Sequence, residues 1–345
     1  MRHRIVILQH GSHGTYRDLS CLAQYLRSFE TPPVVWEPRV NEGFRTDDGV
    51  VMCGERLAQN ILQLFHTFCS TLPSTTTIEL SFVAHSMGGL IVREALPLLF
   101  KGIELKQDHI NIKWKLFCSI AVPHAGVRHM DAFIRSYFGR LVGRLYSTAY
   151  HDMFLQSNVL TERLLSKEHL ACLAAFERRL LISSVNDLLV PLMSSGFLLK
   201  SNQCFDLFHS TNPQEHEEKE IPQIDDKTTT INTSTISTIC ALNEEEMYTK
   251  RHRLTELNMS EYWPADQLPL ERHLIGEILQ HAGPFESIVL DLRPAAAAAL
   301  HNSQLALHGA QKLSHRALIC KPPLHLLDNM FGFVSKVVAQ ETVMD

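Results

Sequence analysis

The residues best suited to chemistry are Ala84-His85-Ser86-Met87-Gly88-Gly89, which lie between a β-rich run, Ile78–Val83, and a helical pattern starting near Gly89. A serine hydroxyl serves as a nucleophile when a tight, strained turn between strand and helix projects it clear of both. Strand and helix approach closely at such a turn, so the positions two before and two after the serine must be small. Ala84 and Gly88 meet that need around Ser86. The turn also brings the N–H groups of a helix N-terminus beside the reacting carbonyl. A glycine-rich helix start with no chemistry would use similar letters. The apolar run before it and the amphipathic stretch after it favour the nucleophile.

A second turn complements the first. His10-Gly11-Ser12-His13-Gly14 follows the short apolar run Arg4–Leu8. Backbone N–H groups of Ser12 and of Met87, the residue after the nucleophile, could together hold a tetrahedral oxyanion. Two histidines in one loop can also bind a metal, but neither has a carboxylate partner at useful spacing, so no metal site is assigned.

A serine nucleophile needs a base, and the base needs a carboxylate to orient it. Behind an elbow of this type the chain order is serine, acid, histidine. Asp187 is the acid expected from position, because it opens a loop just after the β-rich run Leu180–Val185, and such loops face the ligand crevice of a parallel sheet. An ordinary Asx-turn is the bland alternative. Nine histidines follow it, at 209, 216, 252, 273, 281, 301, 308, 315 and 325. The base belongs on a loop after a late strand and before the last helix, which leaves 301, 308, 315 and 325. Position alone favours His315 and His325 about equally.

These groups need a scaffold. Strands are expected at Ile5–Leu8, Val34–Trp36, Ile78–Val83, Trp114–Val122 and Leu180–Val185. Helices are expected at Leu19–Phe29, Val51–Phe68 and Gly89–Phe100. Strand and helix in alternation imply an α/β fold, a mostly parallel sheet with helices on both faces. Two further strands, Phe285–Leu292 and Arg316–Cys320, and a closing helix over Leu326–Val338 follow near the end. Between these halves lies a different kind of sequence. Residues 205–262 carry twelve acidic against five basic side chains, and six of the eleven residues 228–238 are Thr. Such a stretch buries little apolar surface and is expected to be an exposed or disordered insertion that contributes no strand. The organisation is thus a core at 1–204 with a cap at about 127–170, the insertion at 205–262, and a return of the core at 263–345.

Composition excludes several classes. The chain has 345 residues, 45% hydrophobic and 20% charged, and a net charge of -5. That balance shows no basic excess for nucleic acid. Its 8 Cys form no CxxC pair or zinc-finger spacing, which suggests neither a disulfide scaffold nor a structural zinc. The apolar run at the start is too short for a signal-peptide core or a membrane span. A soluble protein of a reducing, cytoplasmic compartment is expected. No nucleotide, metal or flavin motif implies a cofactor.

Four stretches carry a family resemblance: LQHGSHGTYRDL, the segment from Thr46 through Asp48-Gly49 to Gly54-Glu55-Arg56-Leu57-Ala58, VAHSMGGLIVREAL, and AVPHAGV. By these the chain resembles the serine esterase family of α/β-hydrolases, which includes intracellular phospholipases and monoacylglycerol lipases of the Rog type. The likeness is dense over 1–200 and thin over 270–325. Where the family tends to have Thr-Pro-His-x-Gly, this chain has Val122-Pro123-His124-Ala125-Gly126, with Val in place of Thr. His124 precedes the acid in chain order and reads as a structural histidine. The family's base sits before a short apolar strand near the domain end, which matches Ser314-His315-Arg316-Ala317-Leu318-Ile319. The resemblance therefore implies His315 as base, with Ser86, Asp187 and an α/β-hydrolase fold.

Residues 127–170 are rich in large apolar groups interleaved with Arg128, Arg135, Arg140 and Arg144. That pattern suits a cap that meets a lipid surface, or equally a core-facing helix pair. Hydrolysis of acyl-glycerol or phospholipid esters is the expected activity, with peripheral contact at a membrane or lipid droplet. An acyltransferase or thioesterase with the same triad, and a silent lipid-binding protein of this fold, are the alternatives.

Overall fold

The computed structural model describes residues 1–70, 72–73, 76–104, 110–130, 147–185, 187–199, 248–263, 266–291, 315, 318–319 and 328–343. Seven strands form one sheet: β1 (Arg2–Gln9), β2 (Val34–Trp36), β3 (Thr77–His85), β4 (Asn111–Ile120), β5 (Arg178–Ser184), β6 (Tyr248–Leu254) and β7 (Phe285–Asp291). Their order is β2-β1-β3-β4-β5-β7-β6, and every pair is parallel except β6 with β7. The five strands expected over the first 200 residues are all present.

Successive side chains of a strand point to opposite faces, and here both faces are dry. Ile5 and Ile7 of β1 enter one core with Phe82 and Ala84 of β3, Leu181 of β5 and Val289 of β7. Helices α2 (Gly49–Cys69), α3 (Gly88–Glu104) and α8 (Pro269–Ala282) cover that face with Leu57, Ile91 and Ile278 among others. The alternate residues Val6, Leu8, Val83, Ile182 and Leu290 enter a second core. It is closed by α1 (Ser20–Arg27) and the last helix, α9 (Asp328–Thr342), through Leu22, Leu26, Val334 and Val338. Shorter helices α4 (Thr148–Met153), α5 (Lys167–Ala174), α6 (Leu192–Ser195) and α7 (Met259–Tyr262) fill the connections. This is the α/β-hydrolase fold: a mostly parallel sheet between two helical layers, with a serine elbow after a central strand. None of the described helices is long and apolar enough to cross a membrane.

Two expectations are corrected. The stretch 205–262 does contribute a strand, because β6 pairs antiparallel with β7 from Tyr248↔Asp291 to Leu254↔Phe285. Its 251–254 segment, Arg-His-Arg-Leu, buries His252 and Leu254 while Arg251 and Arg253 stay exposed, as suits an outer strand kept from pairing further by charge. Arg251 pairs with Glu286 of β7 and reaches Glu341 of α9 at 3.2 Å. Composition averaged over 58 residues hid that alternation. The acidic Thr-rich part, 201–247, lies outside the described residues. The second correction concerns Arg316–Cys320. Leu318 and Ile319 form a turn whose side chains are buried in the second core. Their apolar character reflects packing and not strand pairing. Residues 316, 317 and 320 lie outside the described residues, as do 131–146 of the expected cap and His301, His308 and His325.

Candidate active site

Three of the site segments follow the carboxyl ends of parallel strands: Gly11 after β1, Ser86 after β3 and Asp187 after β5. In a parallel sheet that edge is where ligands bind. Sheet order sets β1 beside β3 and β4 beside both β3 and β5, so segments far apart in sequence meet there.

Ser86 has φ +54°, left-handed backbone that costs a residue other than glycine about 1–3 kcal/mol. The surroundings hold it there. Its N–H donates to Ile120 O of β4 at 2.9 Å, and its own carbonyl accepts from Gly89 N–H at 3.1 Å. Glycine at two positions allows the close approach. A Cβ on Gly88 would stand 2.4 Å from His10 O, and one on Gly11 would stand 2.6 Å from Ser86 Cβ. The HGSHG turn therefore lies directly against the serine. Met87 immediately precedes α3, at the helix N-terminus, where N–H groups have no acceptor within the helix. Ser12, the residue after Gly11, is exposed.

His315 Nδ1 lies 2.6 Å from Asp187 Oδ2, and both side chains are nearly or fully buried. The other oxygen of Asp187, Oδ1, accepts the N–H groups of Leu189 at 2.8 Å and Val190 at 3.0 Å. Although 230 residues separate it from the elbow, His315 is fastened to the elbow itself. His85 donates Nε2–H to His315 O at 3.0 Å, and the two rings sit 4.6 Å apart. A carboxylate oxygen at that distance from Nδ1 fixes the orientation of the imidazole ring.

The structure thus joins Asp187 to His315, His315 to the residue before Ser86, and Gly11 to Ser86. Sequence reasoning gave His85 no role; its place beside Ser86 was visible, its partner 230 residues away was not. Neither histidine of HGSHG has a carboxylate at useful spacing along the chain, but one gains a carboxylate through the fold. His13 Nε2 lies 2.8 Å from Asp47 Oδ1, a pairing that spacing along the chain does not reveal.

His124 has the structural part expected of it. It is buried, with Nε2 3.0 Å from Ser119 Oγ and Nδ1 3.3 Å from Arg93. Burial first, and the Arg93 charge second, hold its pKa well below the usual histidine range, so it is neutral. Beyond Asp187, Val190 packs with Val127, Tyr150 and Phe154 in a small apolar cluster, to which Leu189 adds. Arg128, one of the arginines of the expected cap, pairs with the buried Glu271 at 2.7 Å. His129 reaches the same oxygen at 3.2 Å.

The chain is similar to "Putative lipase ROG1" of Saccharomyces cerevisiae, 27% identical over 249 residues. That match takes in 66% of this chain and 33% of the relative, so the chain spans about a third of its length. Among solved structures, lipase B of Aspergillus fumigatus is 16% identical, covering 56% of this chain and 40% of that one, at a TM-score of 0.38. Phospholipase PlaB of Legionella pneumophila, solved with thio-NAD, is 14% identical, covering 57% and 45%, at a TM-score of 0.38. A family model described as "Putative serine esterase (DUF676)" matches residues 1–202. With well over half of its length matched by that model, the chain belongs to this serine esterase family.

Proposed function

We propose that the protein is a serine hydrolase that cleaves carboxylic esters through an acyl-enzyme on Ser86, with acyl-glycerols or phospholipids as substrates. The observation that carries this reading is the buried 2.6 Å contact between His315 Nδ1 and Asp187 Oδ2, tied by His85 to a strained serine elbow. His315 Nε2 takes the proton as Ser86 Oγ attacks the ester carbonyl. The N–H groups of Ser12 and Met87 hold the oxyanion. The same proton passes to the leaving alcohol, and the acyl group stays on Ser86. Water then attacks, His315 again taking the proton, and the acid leaves.

A lipid substrate draws support from the apolar cluster beside the acid's loop and from the yeast relative's designation as a lipase. Contact with a membrane or lipid-droplet surface would follow from such a substrate. The test is hydrolysis of a panel of acyl-glycerols, phospholipids and acyl thioesters by wild type and Ser86→Ala, with fluorophosphonate labelling of both. Ester hydrolysis and labelling that vanish together in Ser86→Ala are expected. An unlabelled wild type would overturn the reading, and turnover confined to thioesters would replace it with a thioesterase.

A further inference from the structure

One motif has no part in the chemistry so far: the segment Thr46-Asp47-Asp48. Its contacts converge on the turn that lies against Ser86. That turn, Gly11-Ser12-His13-Gly14, is closed by Gly14 N–H donating to Gly11 O at 3.1 Å. Its third residue, His13, has φ +51°. Turns of this form usually place Gly or Asn there, because a larger side chain raises the cost of left-handed backbone. Something must hold a histidine in place.

The hold comes from residues 42–47. His13 N–H donates to Thr46 Oγ1 at 2.9 Å, and that hydroxyl donates in turn to Gly43 O at 2.9 Å. Thr46 is completely buried. Gly43 N–H donates to Gly14 O at 2.9 Å, at the far end of the turn. Asp47 Oδ1 faces His13 Nε2 at 2.8 Å and also accepts Ser147 Oγ–H at 2.9 Å. The Asp47 contact with the exposed His13 ring is weak alone. The buried Thr46 bond is the stronger of the two, and it takes up the His13 N–H, which fits Ser12 as the oxyanion donor.

We propose that Thr46 and Asp47 are positioning residues for the oxyanion hole: they lock His13 in its left-handed conformation, and so hold the Ser12 N–H beside Ser86. This rests on the serine hydrolase reading above. Thr46 does the locking through a single hydroxyl oxygen. Asp47 reinforces it and links the turn to Ser147, the residue that caps α4.

The experiment compares Thr46→Val, Thr46→Ser and Asp47→Ala in the full chain. It reads kcat and KM on p-nitrophenyl butyrate, melting temperature, and the rate of fluorophosphonate labelling. A loosened oxyanion donor costs up to about 10²-fold in rate. Thr46→Val should therefore lose about 10- to 100-fold in kcat and in labelling rate, with KM within about threefold. Thr46→Ser, which keeps the oxygen, should recover most of both. Asp47→Ala, at a half-buried position, should keep its fold and lose about three- to tenfold in kcat. Wild-type kcat in Thr46→Val, or equal losses in the Val and Ser variants that track melting temperature, would overturn the proposal while the hydrolase reading stands. If Thr46→Val does not fold, Asp47→Ala decides, and wild-type kcat there overturns it. A wild type that resists labelling removes both readings together.

Discussion

Asp187→Asn is the most informative single change, because the structure says which way the new amide must face. Oδ1 of Asp187 accepts two backbone N–H groups, from Leu189 and Val190, and Oδ2 meets His315 Nδ1. An asparagine has one oxygen and one NH2. If the NH2 faced the loop, two buried N–H donors would lose their acceptor, at about 1–3 kcal/mol each, or about 2–6 kcal/mol together. If the oxygen faces the loop, both bonds survive and the NH2 points at His315. That second arrangement wins. It obliges Nδ1 to accept, so the ring proton moves to Nε2, where Ser86 needs a lone pair. The variant should fold with a melting temperature close to wild type and lose about 10⁴-fold in kcat. At 1.36 kcal/mol per decade that is about 5.4 kcal/mol of barrier. KM should barely move, since the substrate touches neither group. Asp187→Ala should behave differently, losing stability as well, because both N–H groups are then orphaned. Steady-state hydrolysis of a p-nitrophenyl ester with parallel thermal melts reads all of this. An Asp187→Asn enzyme with more than a tenth of wild-type kcat would refute the assignment of acid and tautomer.

Further outcomes follow from the same geometry. Ser86→Ala and His315→Ala should each lose about 10⁴- to 10⁶-fold in kcat, and the double variant no more than either, because members of one catalytic unit fail together; additive losses would separate them. His325→Ala should keep most activity. Removing residues 210–245 should leave esterase activity intact, whereas a deletion that extends through β6 should give insoluble or inactive protein, since β7 would keep β5 but lose its other neighbour and become an open edge; equal behaviour of the two would refute the role given to β6. His124 has its pKa depressed in the fold, so below about pH 6.5 the unfolded chain binds a proton that the folded chain refuses. Stability should therefore fall as pH drops from about 6.5 toward 5, and His124→Gln should flatten that part of the melting-temperature profile.

Sequence alone determined the parts of this protein that rest on local physics. Short β-rich apolar runs alternating with longer helical patterns made the sheet legible, and the need for small residues around a strained turn singled out Ser86. Asp187 was legible from its place after a strand. His315 was reached only by adding a family resemblance, since its neighbours Leu318 and Ile319 turned out to be a buried turn and not the expected strand. Tertiary structure decided what depends on contacts across long sequence distances. His85 reaches His315 across 230 residues, Asp187 across 128, and Asp47 bridges His13 and Ser147. Strand β6 was hidden for a related reason: an edge strand takes its stability from one neighbour and carries charge on its open side, so its composition resembles a loop. Residue type and spacing determine which chemistry is affordable at each strand end. Only the folding of the sheet, which brings those ends to one edge, decides which of the candidates meet.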